Sequence, residues 1–369
     1  MKIDRIHFYV DNATRWRDWF TSRLGFESIA PSHYDCETHI EVVKSGEAEF
    51  VLHSPQRESS PVADYLKQHP PGVAEISFHV PQLAKKLPAM LEAGARLLHP
   101  LQKQVTAEGC LHGCQIAGIT GLKHTLVERE GKTPLLPWLP QWAEKSPSFP
   151  ARGKYFTGVD HLVLNVAAGA LEPTVQWYER VFGWQRKQAF SIQTPNSGLH
   201  SQVLIDPSGE VQFPINEPSS ENSQIQEFLD FNRGAGIQHI ALSTPNVAAV
   251  TLTLKQLGVS FLRVPDTYYT QLQERFPVLY FSESEWEIIQ KAQVLVDCEG
   301  SDFQTDDQRN PLLLQIFTKP IFAEPTFFFE LIERRDRAQG FGEGNFRALF
   351  EAIEQEQLRK DQSNSVFRY

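Results

Sequence analysis

The chain has 369 residues, 41% of them hydrophobic and 22% charged, with a formal net charge of −10. It is long enough for two domains with cores of their own, and its acidic balance without a basic stripe argues against nucleic acid and anionic membranes as partners. The opening residues carry no apolar signal region, no run of about 18 apolar residues follows, and the four cysteines (Cys36, Cys110, Cys114, Cys298) are scattered, so a reduced, cytoplasmic protein with no membrane span is expected.

Residues 3–10 (IDRIHFYV) predict a strand, followed by an amphipathic helix carrying Trp-Phe and by a Gly-Phe stop at 25–26. A second strand–helix unit covers 72–98, with a proline just after the strand and a glycine near the end of the helix. Residues 124–130 (HTLVERE) close this half. The stretch 131–154 contains five prolines and predicts an ordered but irregular connector. Cys110, His112 and Cys114 offer three metal donors but lack a second ligand pair, so no zinc site is expected there.

The same signals then recur. Residues 159–184, beginning VDHLVLNV, match 3–26; residues 236–262, beginning GIQHIALS, match 72–98; residues 329–335 (FELIERR) match 124–130. Self-similarity at this scale means a repeated structural unit. The expected domains are 1–148 and 149–369, each built from two βα-type modules. Residues 344–358 predict a final helix, with Phe346, Leu349, Phe350 and Ile353 near helical spacing. The glycine-rich GFGEG at 340–344 has the wrong spacing, and no βαβ unit around it, for a dinucleotide site. The four-module layout resembles the vicinal oxygen chelate architecture. That resemblance implies an α+β fold in which paired βαβββ modules give each half an open, strongly curved eight-stranded sheet around a cavity.

Aligning the halves places His161 on Arg5, His239 on Glu75 and Glu330 on Thr125. One half therefore holds two imidazoles and a carboxylate at positions where the other holds none. Side chains alternate between the faces of a strand. Alternation puts Asp160, Leu162, Leu164 and Val166 on an apolar, helix-covered face and His161 on the cavity face. It likewise puts His239 opposite Ile240 and Leu242, and Glu330 opposite Phe329 and Leu331. A carboxylate within TFFFELIE is costly to bury without a cation or metal. Two histidines and one carboxylate are the facial triad of non-haem Fe(II) oxygenases, which leaves positions open for substrate and oxygen.

The segments GVDHLVLNV (158–166), FPINEP (213–218), SQIQEFL (223–229), GIQHIAL (236–242), VPDTYY (264–269), LLLQIFTKP (312–320), FFFELIERR (327–335) and GFGEGNFRALFEAIEQEQ (340–357) carry a closer resemblance. In that order they resemble the 4-hydroxyphenylpyruvate dioxygenase family across most of 158–357, whereas the N-terminal half resembles it only in layout. The resemblance implies Fe(II) ligands at His161, His239 and Glu330. It implies polar substrate contacts at Ser201, Asn216, Gln224, Gln238 and Gln315, with Gln224 and Gln238 catalytic, and an aromatic pocket from Phe317, Phe328, Phe341 and Phe346. The implied reaction takes 4-hydroxyphenylpyruvate and O2 to homogentisate and CO2, in tyrosine breakdown or on the way to tocopherol and plastoquinone. It also implies a homodimer or homotetramer, and a C-terminal helix acting as a lid with Gly340, Gly342 and Gly344 as flexible points at its entry. The nearest rival is 4-hydroxymandelate synthase, which hydroxylates the benzylic carbon of the same substrate; Asn216 and Phe346 resemble the ring-hydroxylating pattern. A non-catalytic binding protein of the same architecture, or an isomerase or ring-cleaving dioxygenase, are the readings from further afield.

Overall fold

The computed structural model describes residues 1–139, 153–193, 197–275, 281–298, 311–342 and 344–345. The expected boundary at 148/149 and the expected helix beyond Asn345 lie outside the described residues.

The first half contains β1 (Lys2–Tyr9), α1 (Ala13–Arg23), β2 (Glu27–Ser28), β3 (His33–Tyr34), β4 (Thr38–Ser45), β5 (Ala48–Pro55), α2 (Pro61–Gln68), β6 (Gly72–His79), α3 (Leu83–Glu92), β7 (Arg96–Val105), β8 (Gly109–Ala117) and β9 (Lys123–Gly131). The second contains β10 (Gly158–Asn165), α4 (Leu171–Phe182), β11 (Gln185–Gln193), β12 (Gly198–Ile205), β13 (Gln212–Pro218), α5 (Gln224–Asn232), β14 (Gly236–Ser243), α6 (Val247–Gln256), α7 (Thr267–Arg275), α8 (Glu283–Ala292), β15 (Leu295–Cys298), β16 (Leu312–Phe317) and β17 (Phe328–Arg335). Polar caps start many of the helices: the side chains of Asn12, Ser60, Ser223, Asn246 and Ser282 each accept from a backbone N–H of the first turn.

The sheets run β2-β4-β5-β1-β6-β9-β8-β7, with β3 added beside β4, and β11-β12-β13-β10-β14-β17-β16-β15. They correspond strand for strand. In each, the central pair is antiparallel (β1 with β6, β10 with β14), flanked by parallel pairings (β1 with β5, β6 with β9; β10 with β13, β14 with β17). Each sheet thus joins two βαβββ modules edge to edge, the tandem curled-sheet α+β fold of the vicinal oxygen chelate architecture. The register reproduces the sequence alignment, since Arg5 faces Ser77 as His161 faces Ala241, and Thr125 faces Ser77 as Glu330 faces Ala241.

The helix-covered faces of the two halves share one apolar core. Phe8 meets Phe327 edge-on at 5.2 Å between ring centroids, and Phe20 and Phe50 each lie 5.9 Å from Phe329. The alternation that hides Phe327 and Phe329 from the cavity therefore spends them on the other half as well as on covering helices. The connector is also less peripheral than its composition suggests. Leu135 and Leu136 are buried among Ile29, Ala30, Ile40, Val42 and Val51 of the first half.

Candidate metal centre

β10, β14 and β17 lie side by side, and each contributes one donor: His161, His239 and Glu330. Their ligand atoms all lie within 4.8 Å of one another, and all three side chains are buried. Nε2 of His161 and Nε2 of His239 approach Glu330 Oε2 at 3.3 and 3.4 Å. Among the described residues this is the only such grouping of three potential ligands.

The surroundings prepare each donor. His161 Nδ1 lies 2.8 Å from Asp160 Oδ1, a contact that orients the ring with its Nε2 toward Glu330. Asp160 in turn takes Arg334 Nε and Nη2 at 2.7 Å each. Glu330 Oε1 accepts from Gln315 Nε2 at 2.7 Å. His239 stacks face-on against Phe328 at 4.8 Å, with Gln238 Oε1 3.3 Å from its Nδ1. His239 Nε2 is buried without a hydrogen-bond partner.

Charge follows from this geometry. Burial pushes Glu330 toward neutrality, but the two imidazoles outweigh it and hold the carboxyl at about 2. Burial opposes the charging of His161 too, yet Glu330 and Asp160 lift it to about 9. His239 goes the other way: burial depresses it, with help from His161, because no second carboxylate stands behind its ring. Asp160 is held below the usual carboxylate range against burial by Arg334 and His161. A buried anion pinched between two imidazole Nε2 atoms, one of them unpartnered, is a donor set that suits a divalent cation of the Fe, Co, Ni or Zn type. The residues fit the metal that the resemblance implies.

Ser201, Asn216 and Asn165 form a row across β12, β13 and β10. Asn216 Nδ2 donates to Asn165 Oδ1 at 3.3 Å, while Ser201 Oγ and Asn165 Nδ2 are buried without a partner. Gln224 is buried at the first turn of α5, and Gln238 is half-buried beside His239. Phe317 is 6.5 Å from the His239 ring, and Phe341 meets His161 edge-on at 5.2 Å. Gln315 donates to Phe341 O at 3.0 Å as well as to Glu330, and accepts from Asn345 Nδ2 at 3.0 Å. Gly342, expected to be a flexible point, has φ +75°, a conformation that favours glycine, and a Cβ there would also displace the Gln315 side-chain oxygen. Phe346 lies outside the described residues.

One assignment from alternation is corrected. Asp160 does not belong to the helix-covered face, because a β-bulge between Val159 and His161 breaks the period and turns its carboxylate to His161 and Arg334. Asp160, Arg334, Asn165 and Asn345 were not singled out from the sequence. A signal for the first two was present: both halves keep the aspartate (Asp4, Asp160) and the arginine (Arg129, Arg334) at matched positions.

In the first half the matched positions make a different network. Arg5 pairs with Glu49 at 2.6 Å, and Gln115 donates to Glu75 at 2.9 Å and to Thr125 at 3.2 Å. There the Arg5 guanidinium and the Gln115 amide meet the carboxylates from within the protein.

The Glyoxalase/Bleomycin resistance protein/Dioxygenase superfamily profile matches residues 158–288, which include both histidines. A 4-hydroxyphenylpyruvate dioxygenase of Dictyostelium discoideum is 34% identical over 370 residues, covering 96% of this chain and 98% of that protein. An uncharacterized protein of Synechocystis sp. is 35% identical over 361 residues, covering 96% and 97% respectively. Among solved structures, a triple mutant of 4-hydroxymandelate synthase from Streptomyces coelicolor superposes with a TM-score of 0.83 at 26% identity, covering 96% of this chain and 98% of that one. With a relative this similar over nearly its whole length, the chain is a dioxygenase and belongs to the 4-hydroxyphenylpyruvate dioxygenase family of the vicinal oxygen chelate superfamily.

Proposed function

We propose that this enzyme converts 4-hydroxyphenylpyruvate and O2 to homogentisate and CO2, using Fe(II) held by His161, His239 and Glu330. The observation that carries the proposal is the buried convergence of these three donors, with His239 Nε2 unpartnered, beside a row of neutral polar groups and an aromatic wall. The family of the relatives supports the substrate.

Held by His161, His239 and Glu330, Fe(II) would supply the redox capacity for decarboxylation and ring hydroxylation. One oxygen atom leaves in CO2 and the other enters the ring, while the side chain shifts to the neighbouring carbon. The protein's part is orientation and exclusion of water. Ser201 Oγ and Asn165 Nδ2 offer hydrogen bonds that the protein itself leaves unmade, and Asn216 joins them. With Gln224 and Gln238 they supply neutral polar contacts for the phenol and the carboxylate without adding charge beside Glu330. Phe328, Phe317 and Phe341 bound the site with apolar surface.

The test is oxygen consumption by Fe(II)-loaded protein given 4-hydroxyphenylpyruvate, with the product identified by mass and retention. Homogentisate with equimolar CO2 is expected. The similarity to 4-hydroxymandelate synthase makes hydroxymandelate the specific second outcome, which would keep the site and change the carbon that is hydroxylated. Glu330→Ala should lose both metal retention and turnover; an active, metal-loaded Glu330→Ala protein would remove the triad.

A further inference from the structure

The two halves differ at every metal-binding position, yet they keep one device in common. Arg129 and Arg334 stand four residues past the matched Thr125 and Glu330. Arg129 sends Nε and Nη2 to Asp4 at 2.8 and 3.1 Å, as Arg334 sends Nε and Nη2 to Asp160. Both then hold the chain that follows. Arg129 reaches Pro134 O at 2.6 Å and Leu135 O at 2.9 Å; Arg334 reaches Ala338 O at 3.2 Å and Gly340 O at 2.6 Å. Leu135 and Gly340 are each six residues beyond their arginine, so the same clamp ties down the same stretch of each half.

What the clamp delivers differs. In the first half it presents Leu135 and Leu136, which pack against Ile29, Ala30, Ile40, Val42 and Val51. In the second it presents Phe341, whose ring meets His161 edge-on and whose carbonyl accepts from the same Gln315 amide that holds Glu330. The Arg334 guanidinium also lies 5.8 Å from the centre of the Phe341 ring. One planar cation thus reaches the aspartate that orients a ligand imidazole and the backbone that sets a wall of the site.

We propose that Arg334 is a positioning residue for the metal centre, fixing through Asp160 the orientation of His161 and through Gly340 the placement of Phe341, so that metal affinity and pocket shape are set together. The inference rests on the metal-centre reading but not on the identity of the substrate. The role requires a rigid fork with several donors, which lysine does not provide.

The probe is Co(II), titrated into metal-stripped protein and followed by its visible absorption bands and by calorimetry. Arg334→Gln should weaken Co(II) binding about 10- to 100-fold, the usual consequence of losing an outer-shell partner, and should shift the bands, because the ligand field reports the His161 orientation. Arg334→Lys should recover little of either. Arg129→Gln, which loosens the equivalent clamp over the aliphatic cluster of the first half, should lower thermal stability and leave Co(II) affinity and spectrum as in the parent. A double-mutant cycle with Phe341→Leu tests the second arm: Arg334→Gln should reduce the fraction of consumed O2 recovered as product in the parent background and much less in Phe341→Leu. If Arg334→Gln is insoluble, Asp160→Asn and Arg334→Lys carry the Co(II) test. Co(II) affinity within twofold of the parent and an unshifted spectrum in a folded variant would overturn the proposal. Failure of the parent protein to bind Co(II) would instead overturn the metal-centre reading, and tight Co(II) binding by a protein that does not turn over 4-hydroxyphenylpyruvate when loaded with Fe(II) would overturn only the substrate.

Discussion

Gln315 offers the most demanding test of how the site is built. The resemblance assigns it to the substrate, whereas the structure engages its amide with the protein. Nε2 donates to Glu330 Oε1 at 2.7 Å and to Phe341 O at 3.0 Å, and Oε1 accepts from Asn345 Nδ2 at 3.0 Å. The bond to Glu330 is to an ionised carboxylate, a class worth about 1.5–3 kcal/mol. If it holds the carboxylate in its ligating orientation, Gln315→Leu should weaken metal binding about 10- to 150-fold. The same substitution strands the Phe341 carbonyl and the Asn345 amide, both buried, at about 1–3 kcal/mol each, so folding stability should fall by about 2–6 kcal/mol. Gln315→Glu keeps the shape but sets a second acceptor against Glu330, and should lose metal affinity at least as severely. The assays are anaerobic calorimetric titration of metal-stripped protein with Fe(II) and urea denaturation of the same samples. If Gln315→Leu binds metal as tightly as the parent and changes only the KM for substrate, the carboxylate-orienting role is wrong and the substrate role stands alone.

Other expectations follow from the same coordinates. Phe329→Ala removes a fully buried ring packed against Phe20, Phe50 and Phe327, on the strand face opposite Glu330. It should destabilise the protein by about 3–5 kcal/mol, or about 4–6 °C for a chain this long, with metal affinity intact; loss of metal at full stability would contradict the assignment of faces. His124 is buried against Tyr178 of the other half, and burial holds its pKa at about 3. The unfolded chain takes up that proton near pH 6.5, so the stability due to the neutral ring is present above pH 6.5 and drains away as pH falls toward 3. In His124→Gln the dependence of the urea-derived stability on pH over that window should flatten by up to about 1.4 kcal/mol per pH unit; an unchanged slope would mean that His124 titrates alike in the folded and unfolded chain. Ser201→Ala should raise the KM for the 2-oxo acid and leave metal binding unchanged, as measured by Fe(II) titration alongside steady-state kinetics, because Ser201 Oγ has no protein partner to lose.

The three donors were legible because the chain carries its own comparison. Two copies of one strand pattern, aligned, show His161 against Arg5, His239 against Glu75 and Glu330 against Thr125. The pleat's period of two then assigns each donor to a face without any knowledge of the other strands. That inference is local, and the register of the sheets reproduces it. Asp160 escaped because a bulge adds a residue that the period does not count, and a bulge leaves no mark in polarity. Arg334 escaped for a different reason: its partner is 174 positions away, and although Arg129 repeats it in the first half, FELIERR by itself does not distinguish an arginine that clamps a buried aspartate from one that meets solvent. The aliphatic plug of Leu135 and Leu136 was hidden by the prolines around it, which signal irregular backbone but not where that backbone lies. The residue types and their periodicity therefore determined which strands carry the three candidate donors and which way those donors face. Only the tertiary structure, by closing contacts across a hundred residues and more, decided which groups stand behind those donors, where the connector's leucines are buried, and how the two halves come to share a core.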